Sequence, residues 1–371
     1  MLAQSPSFAF DLEFDSNRYG YGVTPSLIQM ATTEACFVVD LMAGLDVHSL
    51  YALLADSRIG KLVHAPGEDL RLLHRLGCFP KNLFDTELVA RLLNYEQTGL
   101  SALLEKGLGV HLSKGQQRSN WLLRPLSEAQ IQYAAADVVW LHPLQEQLVA
   151  EAAGRGLMAF VQEEQALLST TVFVQDADTD FLKPADRVHL SPWHQHLLAG
   201  LLRYRDDLAR RLGRPAYQVM SKELIRELAM GHLSLEDIVK HPAVHPRYRN
   251  SRGVAAFAKC LRGSQTEAEA AGLSKRKPAR PRATPAEYTA RQKAAHDREQ
   301  VFNPIQQALK DQFGMYATQF LMSNRLIGEL ISGSLRFDDL PAYRQSLFAE
   351  TAKELGLNLS NYAAKPVEEK E

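Results

Sequence analysis

The stretch FAFDLEF, residues 8–14, alternates large apolar residues with small or acidic ones. This period of two is typical of a β-strand, because successive side chains in a strand point to opposite faces. Asp11 and Glu13 therefore share one face, with their Cα atoms about 7 Å apart. The aromatic face indicates packing in a core, and carboxylates on a central strand are costly unless they face a cleft or an ion. An edge strand with a solvated acidic face is the alternative interpretation.

A second acidic residue follows another predicted strand. The apolar run KLVHA (61–65) ends at Pro66 and Gly67, and residues 68–77 have the spacing of a helix. Asp69 then lies in the first helical turn, where free N–H groups and the helix dipole stabilise a carboxylate. A carboxylate at such a position needs no function, but its place at the carboxyl end of a strand favours one.

A third acidic residue lies on a longer predicted helix. Ser127 and Gln130 form a Ser-x-x-Gln capping box, and the helix that it opens is predicted over residues 127–152. Tyr133 and Asp137 are four residues apart and share a face of that helix. With an ordinary pKa of about 10, the phenol is better suited to orient a water molecule beside a metal-binding carboxylate than to act as a base. An amphipathic helix with one buried tyrosine is the alternative.

Together these segments resemble the DEDD family of 3′–5′ exonucleases, in the subgroup whose third motif carries tyrosine, and within it the ribonuclease D group. The resemblance spans almost the whole chain. It rests on segments that follow the family's order: FDLEFD (10–15), LIQM (27–30), HAPGEDL (64–70), FDTELVARLL (84–93) and QRSNWLLRPLSEAQIQYAAADVVWL (117–141). The resemblance implies metal ligands at Asp11, Glu13, Asp69 and Asp137, with Tyr133 beside the attacking water.

The sequence departs from the family pattern at two positions. Leu12 stands where threonine is usual between the two acids, and Asn120 stands where an aspartate commonly precedes the tryptophan. Neither change removes an implied ligand, so we expect an effect on substrate preference more than on activity. Relatives usually have a helical stretch before the first strand, whereas only ten residues precede Asp11 here. The chain either lacks that stretch or begins at a late start site.

The implied ligands predict the cofactor. Four carboxylates and two divalent cations make a nearly neutral site that still has room for water and phosphate oxygens. Hard oxygen ligands suit Mg²⁺ or Mn²⁺ better than Zn²⁺. A pair of such ions activates water and stabilises the leaving oxygen in phosphodiester cleavage. We therefore expect two ions of Mg²⁺ or Mn²⁺ and release of 5′-mononucleotides from a free 3′ end.

The composition has room for two or three domains: 371 residues, 46% of them hydrophobic, with a formal net charge of −1. The three cysteines, Cys36, Cys78 and Cys260, are scattered and match neither a zinc site nor a disulfide framework. No stretch has the pattern of a signal peptide or the length of an apolar membrane span. These features are typical of a cytoplasmic enzyme, and we expect a monomer without an obligate protein partner.

The predicted fold class is α/β plus all-α. Residues 1–168 alternate short strands with helices: strands 8–14, 26–31, 35–40 and 61–65, and helices 49–56, 68–76, 85–93, 98–106, 127–152 and one that ends near 168. This order predicts an antiparallel ribbon that continues into a parallel sheet, and the resemblance implies a ribonuclease H-like exonuclease domain. Residues 169–192 are predicted to be a connector, with acids at Asp176, Asp178 and Asp180.

Two helical modules are predicted after the connector. Residues 193–263 resemble the HRDC domain, a small helical module of helicases and ribonuclease D, although Tyr204 stands where tryptophan is usual. Residues 264–298 are rich in basic residues and proline, which predicts a mobile basic linker. Residues 299–358 resemble a second HRDC-like domain, and residues 359–371 are predicted to be a disordered tail.

Basic residues concentrate in the first helical module and in the linker. Their density favours contacts with phosphate groups, each of which adds salt dependence to binding. A solvated helix face is the alternative for any single residue. The candidates for nucleic-acid binding are Arg203, Arg205, Arg247, Arg249, Lys275, Arg276 and Lys277, and Arg280 and Arg282 extend the basic linker. We expect the modules to add affinity and no chemistry, so that a fragment ending near residue 168 still trims short oligonucleotides.

These features favour a metal-dependent 3′–5′ exoribonuclease that acts on structured RNA with a single-stranded 3′ tail. The resemblance implies tRNA precursors as the partner. Two alternatives stay open. A 3′–5′ DNA exonuclease would use the same acids, because no residue can be shown from the sequence to contact a 2′-hydroxyl. An RNA-binding scaffold with a dead site is the other, and the intact set of acids with Tyr133 disfavours it.

Overall fold

Five strands form one sheet in the computed structural model, which describes residues 1–113, 115–173, 181–277 and 284–363. The strands are β1 Ser7–Ser16, β2 Val23–Ala31, β3 Cys36–Asp40, β4 Gly60–Val63 and β5 Leu83–Asp85. They lie in the order β3-β2-β1-β4-β5. The pairs β1–β2 and β2–β3 are antiparallel, whereas β1–β4 and β4–β5 are parallel. The predicted antiparallel ribbon with a parallel continuation is confirmed.

β1 lies at the centre of the sheet, and its two faces differ as the alternation predicts. Phe8, Phe10 and Leu12 are buried in one apolar cluster, and each such side chain stabilises the fold by about 1.5–3 kcal/mol. The opposite face carries Asp11 and Glu13, which are only partly buried. The interpretation of residues 8–14 as an edge strand is therefore wrong.

Two predicted elements of residues 1–168, the predicted exonuclease domain and hereafter the exonuclease part, need correction. Its described helices are α1 His48–Ala55, α2 Gly67–Arg75, α3 Thr86–Leu92, α4 Leu100–Leu108, α5 Glu128–Val139, α6 Leu141–Gly154 and α7 Met158–Thr170. The helix predicted over 127–152 is thus two helices that meet at Trp140, because Pro143 has no N–H to continue the hydrogen-bond ladder. Residues 83–85 pair with β4 as a short strand that was not predicted, so the helix predicted from residue 85 begins at Thr86.

The first helical module comprises α8 Pro184–His189, α9 Pro192–Leu212, α10 Ala216–Val219, α11 Lys222–Met230, α12 Asp237–Lys240 and α13 Ser251–Ala270. Tyr204 lies in its core, with its ring edge-on to Phe257 at 5.2 Å between centroids. The mobile linker predicted from residue 264 is helical up to Ala270, because Ser264 and Ala268 are buried within the module.

The second helical module comprises α14 Pro285–Asp297, α15 Asn303–Phe313, α16 Met315–Leu321, α17 Asn324–Ser332 and α18 Ala342–Glu354. α14 also lies inside the predicted linker, where Thr284 and Glu287 form a capping box. Other expectations fall outside the described residues: the linker residues Arg280 and Arg282, the connector residues Asp176, Asp178 and Asp180, and the tail from residue 364 onward.

The second module packs directly on the exonuclease part. Phe348 of α18 is fully buried in the same apolar cluster as Val89 of α3. A buried ion pair of 2.7 Å joins Glu164 of α7 to Arg344 of α18. A fragment ending near residue 168 would expose this shared core. The expectation that both modules add only affinity is therefore wrong for the second one, which braces the exonuclease fold.

The described part of the chain contains no helix with both the length and the apolarity that a bilayer crossing requires. The cytoplasmic location and the monomeric state stay predictions.

Candidate metal centre

Three acidic side chains converge on one face of the sheet. Asp11 and Glu13 project from β1, and Asp137 projects from α5, which packs on β1 and β2. Each can offer one carboxylate oxygen such that all three oxygens lie within 4.8 Å of one another. All three residues are partly buried. The shared face of Asp11 and Glu13 is as predicted, and the fold brings Asp137 to it from a distant part of the chain.

Asp69 and Tyr133 lie next to this group. Asp69 is in the first turn of α2, as predicted. It is not one of the residues whose oxygens lie within 4.8 Å, but its charge raises the pKa of Asp11 and of Glu13. A hydrogen bond from Tyr133 lowers the pKa of Asp137 and partly offsets the effect of burial. All five predicted site residues are thus in one region, with Asp69 at its edge.

Burial raises the pKa of every acid in the group, and repulsion by neighbouring acids raises it further for Asp11, Glu13 and Asp69. Burial acts most strongly, and it raises the pKa of Glu13 to about 9, of Asp69 to about 7 and of Asp137 to about 6. The pKa of Asp11 lies well above its ordinary value for the same reason, with further contributions from its acidic neighbours. Burial and the charge of Asp137 also raise the pKa of Tyr133, so the phenol keeps its proton at neutral pH.

This arrangement fits divalent cations. None of the described lysine, arginine or histidine side chains forms an ion pair with Asp11, Glu13, Asp69 or Asp137. Carboxylates held so close together need a positive charge to remain ionised. Hard oxygen donors are the ligands of Mg²⁺ and Mn²⁺. Such ions, when bound, polarise a phosphoryl oxygen and lower the pKa of water.

The segment before α5 fixes the helix that carries Tyr133 and Asp137. The predicted capping box is present, since Ser127 and Gln130 each accept from the other's backbone N–H. Trp121 is buried beside Tyr133, with ring centroids 6.1 Å apart. Within the segment 117–141, residues before the helix therefore contact and orient the helix that carries Tyr133 and Asp137.

The two departures from the family pattern leave the acidic group undisturbed. Leu12 is 4% exposed and packs in the apolar cluster on the far face of β1, away from the carboxylates. Asn120 Oδ1 accepts a hydrogen bond from the backbone N–H of Leu122 at 3.1 Å. An aspartate would offer the same acceptor, so the turn before Trp121 does not require the charge.

The acidic group lines a cavity of about 370 Å³, the size of a small-ligand pocket. Several lining residues were not identified from the sequence: His64, Glu87, Gly99, Leu100 and Gln117. His64 Nδ1 lies 2.9 Å from Thr86 Oγ1, and burial lowers the pKa of His64 to about 4, so the imidazole is neutral. His64 and Gln117 stand at the starts of quoted segments, which is the signal that could have identified them.

The basic residues predicted to bind nucleic acid have different surroundings in the structure. Arg205 and Arg249 donate to backbone carbonyls of their own module, Arg205 to Met220 at 3.1 Å and Arg249 to Val244 and Pro242 at 2.5 and 2.6 Å. These hydrogen bonds hold the two guanidinium groups against their own module, and the assignment of both residues to nucleic-acid binding stays a prediction. Lys275 covers the ring of Trp193 at 4.2 Å. Arg203 lines a groove that also contains Glu267, while Arg276 and Lys277 are exposed.

Arg247 is placed differently. It lines a pocket of about 470 Å³ together with Arg211 and Arg252, next to the start of α13. All three arginines are exposed, and no carboxylate of the described chain lines the pocket. A concave surface with three cationic side chains favours an anion. Arg211 and Arg252 belong to the basic stretches seen in the sequence, but only the fold brings the end of α9 beside the start of α13 and so places them in one pocket with Arg247.

Known proteins resemble this chain in sequence and in fold. The sequence profile of the 3′–5′ exonuclease family matches residues 1–153. Ribonuclease D of Acidiphilium cryptum is 33% identical over 237 residues, which cover 62% of this chain and 59% of that protein. Ribonuclease D of Escherichia coli is 35% identical over 165 residues, or 44% of each chain. The chain is therefore similar to ribonucleases D over part of its length and to the 3′–5′ exonuclease family over residues 1–153.

The fold agrees with that of these relatives. The crystal structure of Escherichia coli RNase D superposes with a TM-score of 0.68 at 24% identity, covering 98% of this chain and 95% of that one. The exonuclease part with its ribonuclease H-like sheet therefore has the expected fold, and the region after it is helical. The match spans about three fifths of the length of the first relatives. The residues that match the 3′–5′ exonuclease profile, 1–153, include the acidic residues described above.

The raised pKa values predict how the stability of the metal-free protein changes with pH. A carboxyl group whose pKa is about 9 when folded and 4.5 when unfolded stabilises the fold fully below pH 4.5. That contribution is lost as the pH rises toward 9. In a chelator, the melting temperature should fall from pH 5 to pH 9 more steeply for the wild type than for Glu13→Gln. The difference at pH 9 should be roughly 3 °C or more.

Glu34→Gln, at an exposed position on the β2–β3 turn, is the matched control and should follow the wild type. Mn²⁺ should raise the melting temperature of the wild type at pH 9, because the ion supplies the missing positive charge. Parallel melting curves for wild type and Glu13→Gln across this pH range would contradict the electrostatic account.

Proposed function

We propose that this protein is a metal-dependent 3′–5′ exoribonuclease that releases 5′-mononucleotides from RNA. The observation that carries the proposal is the convergence of Asp11, Glu13 and Asp137 within 4.8 Å, in a cavity whose volume of about 370 Å³ suits one nucleotide. Asp69 and Tyr133 border the same group. Two ions of Mg²⁺ or Mn²⁺ are the proposed cofactor, with Asp11, Glu13, Asp69 and Asp137 as ligands.

Tyr133 has a defined part in this proposal. Its phenol keeps its proton because burial and Asp137 raise its pKa. A neutral phenol at hydrogen-bond distance from a carboxylate can donate to one group and accept from another. Tyr133 therefore orients the attacking water while a carboxylate of the group takes up the proton. A single chain supplies every one of these residues, so the proposal needs no second subunit.

The proposed substrate is structured RNA with a single-stranded 3′ tail, with tRNA precursors among the candidates. The relative from Escherichia coli is described as an exoribonuclease involved in structured RNA processing, and the named relatives are ribonucleases D. The tail would enter the acidic cavity by its 3′ end. The pocket of Arg211, Arg247 and Arg252 would hold phosphates of the RNA body, since it offers three cationic side chains and no carboxylate.

Trimming of matched RNA and DNA tails tests the proposed activity. Wild-type protein with Mn²⁺ should shorten a stem–loop RNA from its 3′ end and release 5′-mononucleotides faster than from the DNA version. Asp137→Asn keeps the side-chain shape and removes a charge that the ions require. We expect this variant to lose roughly 10²- to 10³-fold in kcat.

The exposed control Glu34→Gln should retain wild-type rates. Equal activity of Asp137→Asn and wild type would show that the acidic group does not take part in the reaction. Faster trimming of DNA than of RNA would favour the DNA exonuclease. An absence of turnover by well-folded wild type, with either ion and on either substrate, would favour an RNA-binding scaffold.

The arginine pocket generates a prediction about salt. Each phosphate contact contributes about 0.7–0.9 to the slope of log binding constant against log salt concentration. The triple variant Arg211→Gln, Arg247→Gln and Arg252→Gln should therefore bind the stem–loop RNA with a slope smaller by roughly 2 to 3. Binding is measured by fluorescence anisotropy in a chelator, so that no RNA is cleaved.

The matched control changes three exposed arginines that already pair with acids outside both cavities: Arg58, Arg155 and Arg325. It alters the net charge equally but leaves the pocket intact, so its slope should remain close to that of the wild type. Equal slopes for the two triple variants would show that the pocket does not hold RNA.

A further inference from the structure

Gln29 is a fully buried polar residue in the centre of the sheet. It belongs to β2, where its neighbours Leu27, Ile28 and Met30 are buried and apolar. The antiparallel register places Gln29 directly opposite Asp11 of β1. Its side-chain Nε2 donates a hydrogen bond of 2.6 Å to Asp11 Oδ2. An amide in this strand is therefore in direct contact with one of the three clustered carboxylates.

The hydrogen bonds of Gln29 do not make it a stabilising residue in the folded protein. Its Oε1 is buried and finds no donor among the described residues. A buried amide oxygen without a partner costs free energy, whereas an apolar side chain of similar shape would have no such group to satisfy. Methionine has nearly the same length and would suit the surrounding apolar run. The amide thus has a cost for folding that its contact with Asp11 must offset.

The hydrogen bond from Gln29 to Asp11 has the direction that an ionised, metal-binding carboxylate requires. An ionised carboxylate only accepts hydrogen bonds, and Gln29 Nε2 is a donor. The bond occupies one side of Oδ2 and fixes the rotation of the Asp11 carboxylate. Its remaining lone pairs are then available on the side shared with Glu13 and Asp137, whose oxygens lie within 4.8 Å. Partners of metal ligands commonly set ligand orientation in this way.

We propose that Gln29 is a positioning residue, which holds the Asp11 carboxylate in the orientation that binds the divalent ion. This inference rests on the proposed function, because it assigns a role within the same metal centre. It assigns no chemistry to Gln29 itself, since the amide touches the carboxylate and not the reacting atoms. A positioning role requires that metal affinity depends on the amide, whereas folding does not.

The test is a calorimetric titration of Mn²⁺ into full-length Gln29→Met, with urea unfolding of the same metal-free sample. We expect Mn²⁺ to bind about 10- to 100-fold more weakly than to the wild type. The urea midpoint should be equal to or higher than that of the wild type, because the unpartnered Oε1 is gone. Gln29→Leu, of smaller volume, is a second variant with the same expected direction.

Gln165→Met is the matched control. Gln165 is also a buried glutamine, but both ends of its amide bond the backbone of Asp85, at 2.7 and 2.9 Å. Its replacement should lower the urea midpoint and leave Mn²⁺ affinity within about twofold. The two replacements should therefore have opposite effects. Gln29→Met should weaken Mn²⁺ binding without lowering the urea midpoint, whereas Gln165→Met should lower the urea midpoint without weakening Mn²⁺ binding.

Unchanged Mn²⁺ affinity in Gln29→Met and Gln29→Leu would overturn the positioning role. A urea midpoint lowered as far as in Gln165→Met would also overturn it, because Gln29 would then be a structural residue. If the wild type itself binds no Mn²⁺, the proposed metal centre fails. If the wild type binds and trims RNA while the Gln29 variants bind equally well, only the inference about Gln29 fails.

Discussion

The carboxylates around one partly buried cavity repel each other when they are ionised, and the packing of the rest of the structure has to offset the cost in folding free energy. Asp11, Glu13 and Asp137 offer oxygens within 4.8 Å, and burial raises the pKa of each. The raised pKa values favour protonation of the group in the metal-free protein. In the proposed metal centre, a divalent ion would take the place of these protons. The same burial and repulsion that lower stability would therefore favour a bound divalent ion.

Apolar packing on the opposite faces of the same strands and helices offsets this repulsion. β1 buries Phe8 and Phe10 behind the acids, and Trp121 is buried beside the helix that carries Asp137. The second helical module extends this support, because Phe348 shares a core with the exonuclease part. The first module contacts the β1–β2 turn through Tyr21, whose hydroxyl donates to Asp206 at 2.6 Å. The two modules thus have different parts in the molecule, and only the first presents the arginine pocket.

Elements with a strong local pattern were predictable, and contacts set by the tertiary fold were not. The alternation in residues 8–14 identifies both faces of β1, and the spacing of Tyr133 and Asp137 identifies their shared helix face. β5 escaped detection because three residues show no periodicity. The contact of Gln29 with Asp11 depends on strand register, which no single segment contains. The basic residues illustrate the same limit, since Arg205 and Arg247 look alike in sequence but only Arg247 lines an open pocket.

An anomalous-scattering experiment on crystals soaked with Mn²⁺ and a 5′-mononucleotide tests the central claim most directly. The account predicts a strong peak between Asp11, Glu13 and Asp137, with carboxylate oxygens at roughly 2.1 Å. It also predicts a second peak on the side of Asp69 and the nucleotide phosphate in the cavity beside Tyr133. No peak among these carboxylates at millimolar Mn²⁺, or a nucleotide bound elsewhere, would contradict the account.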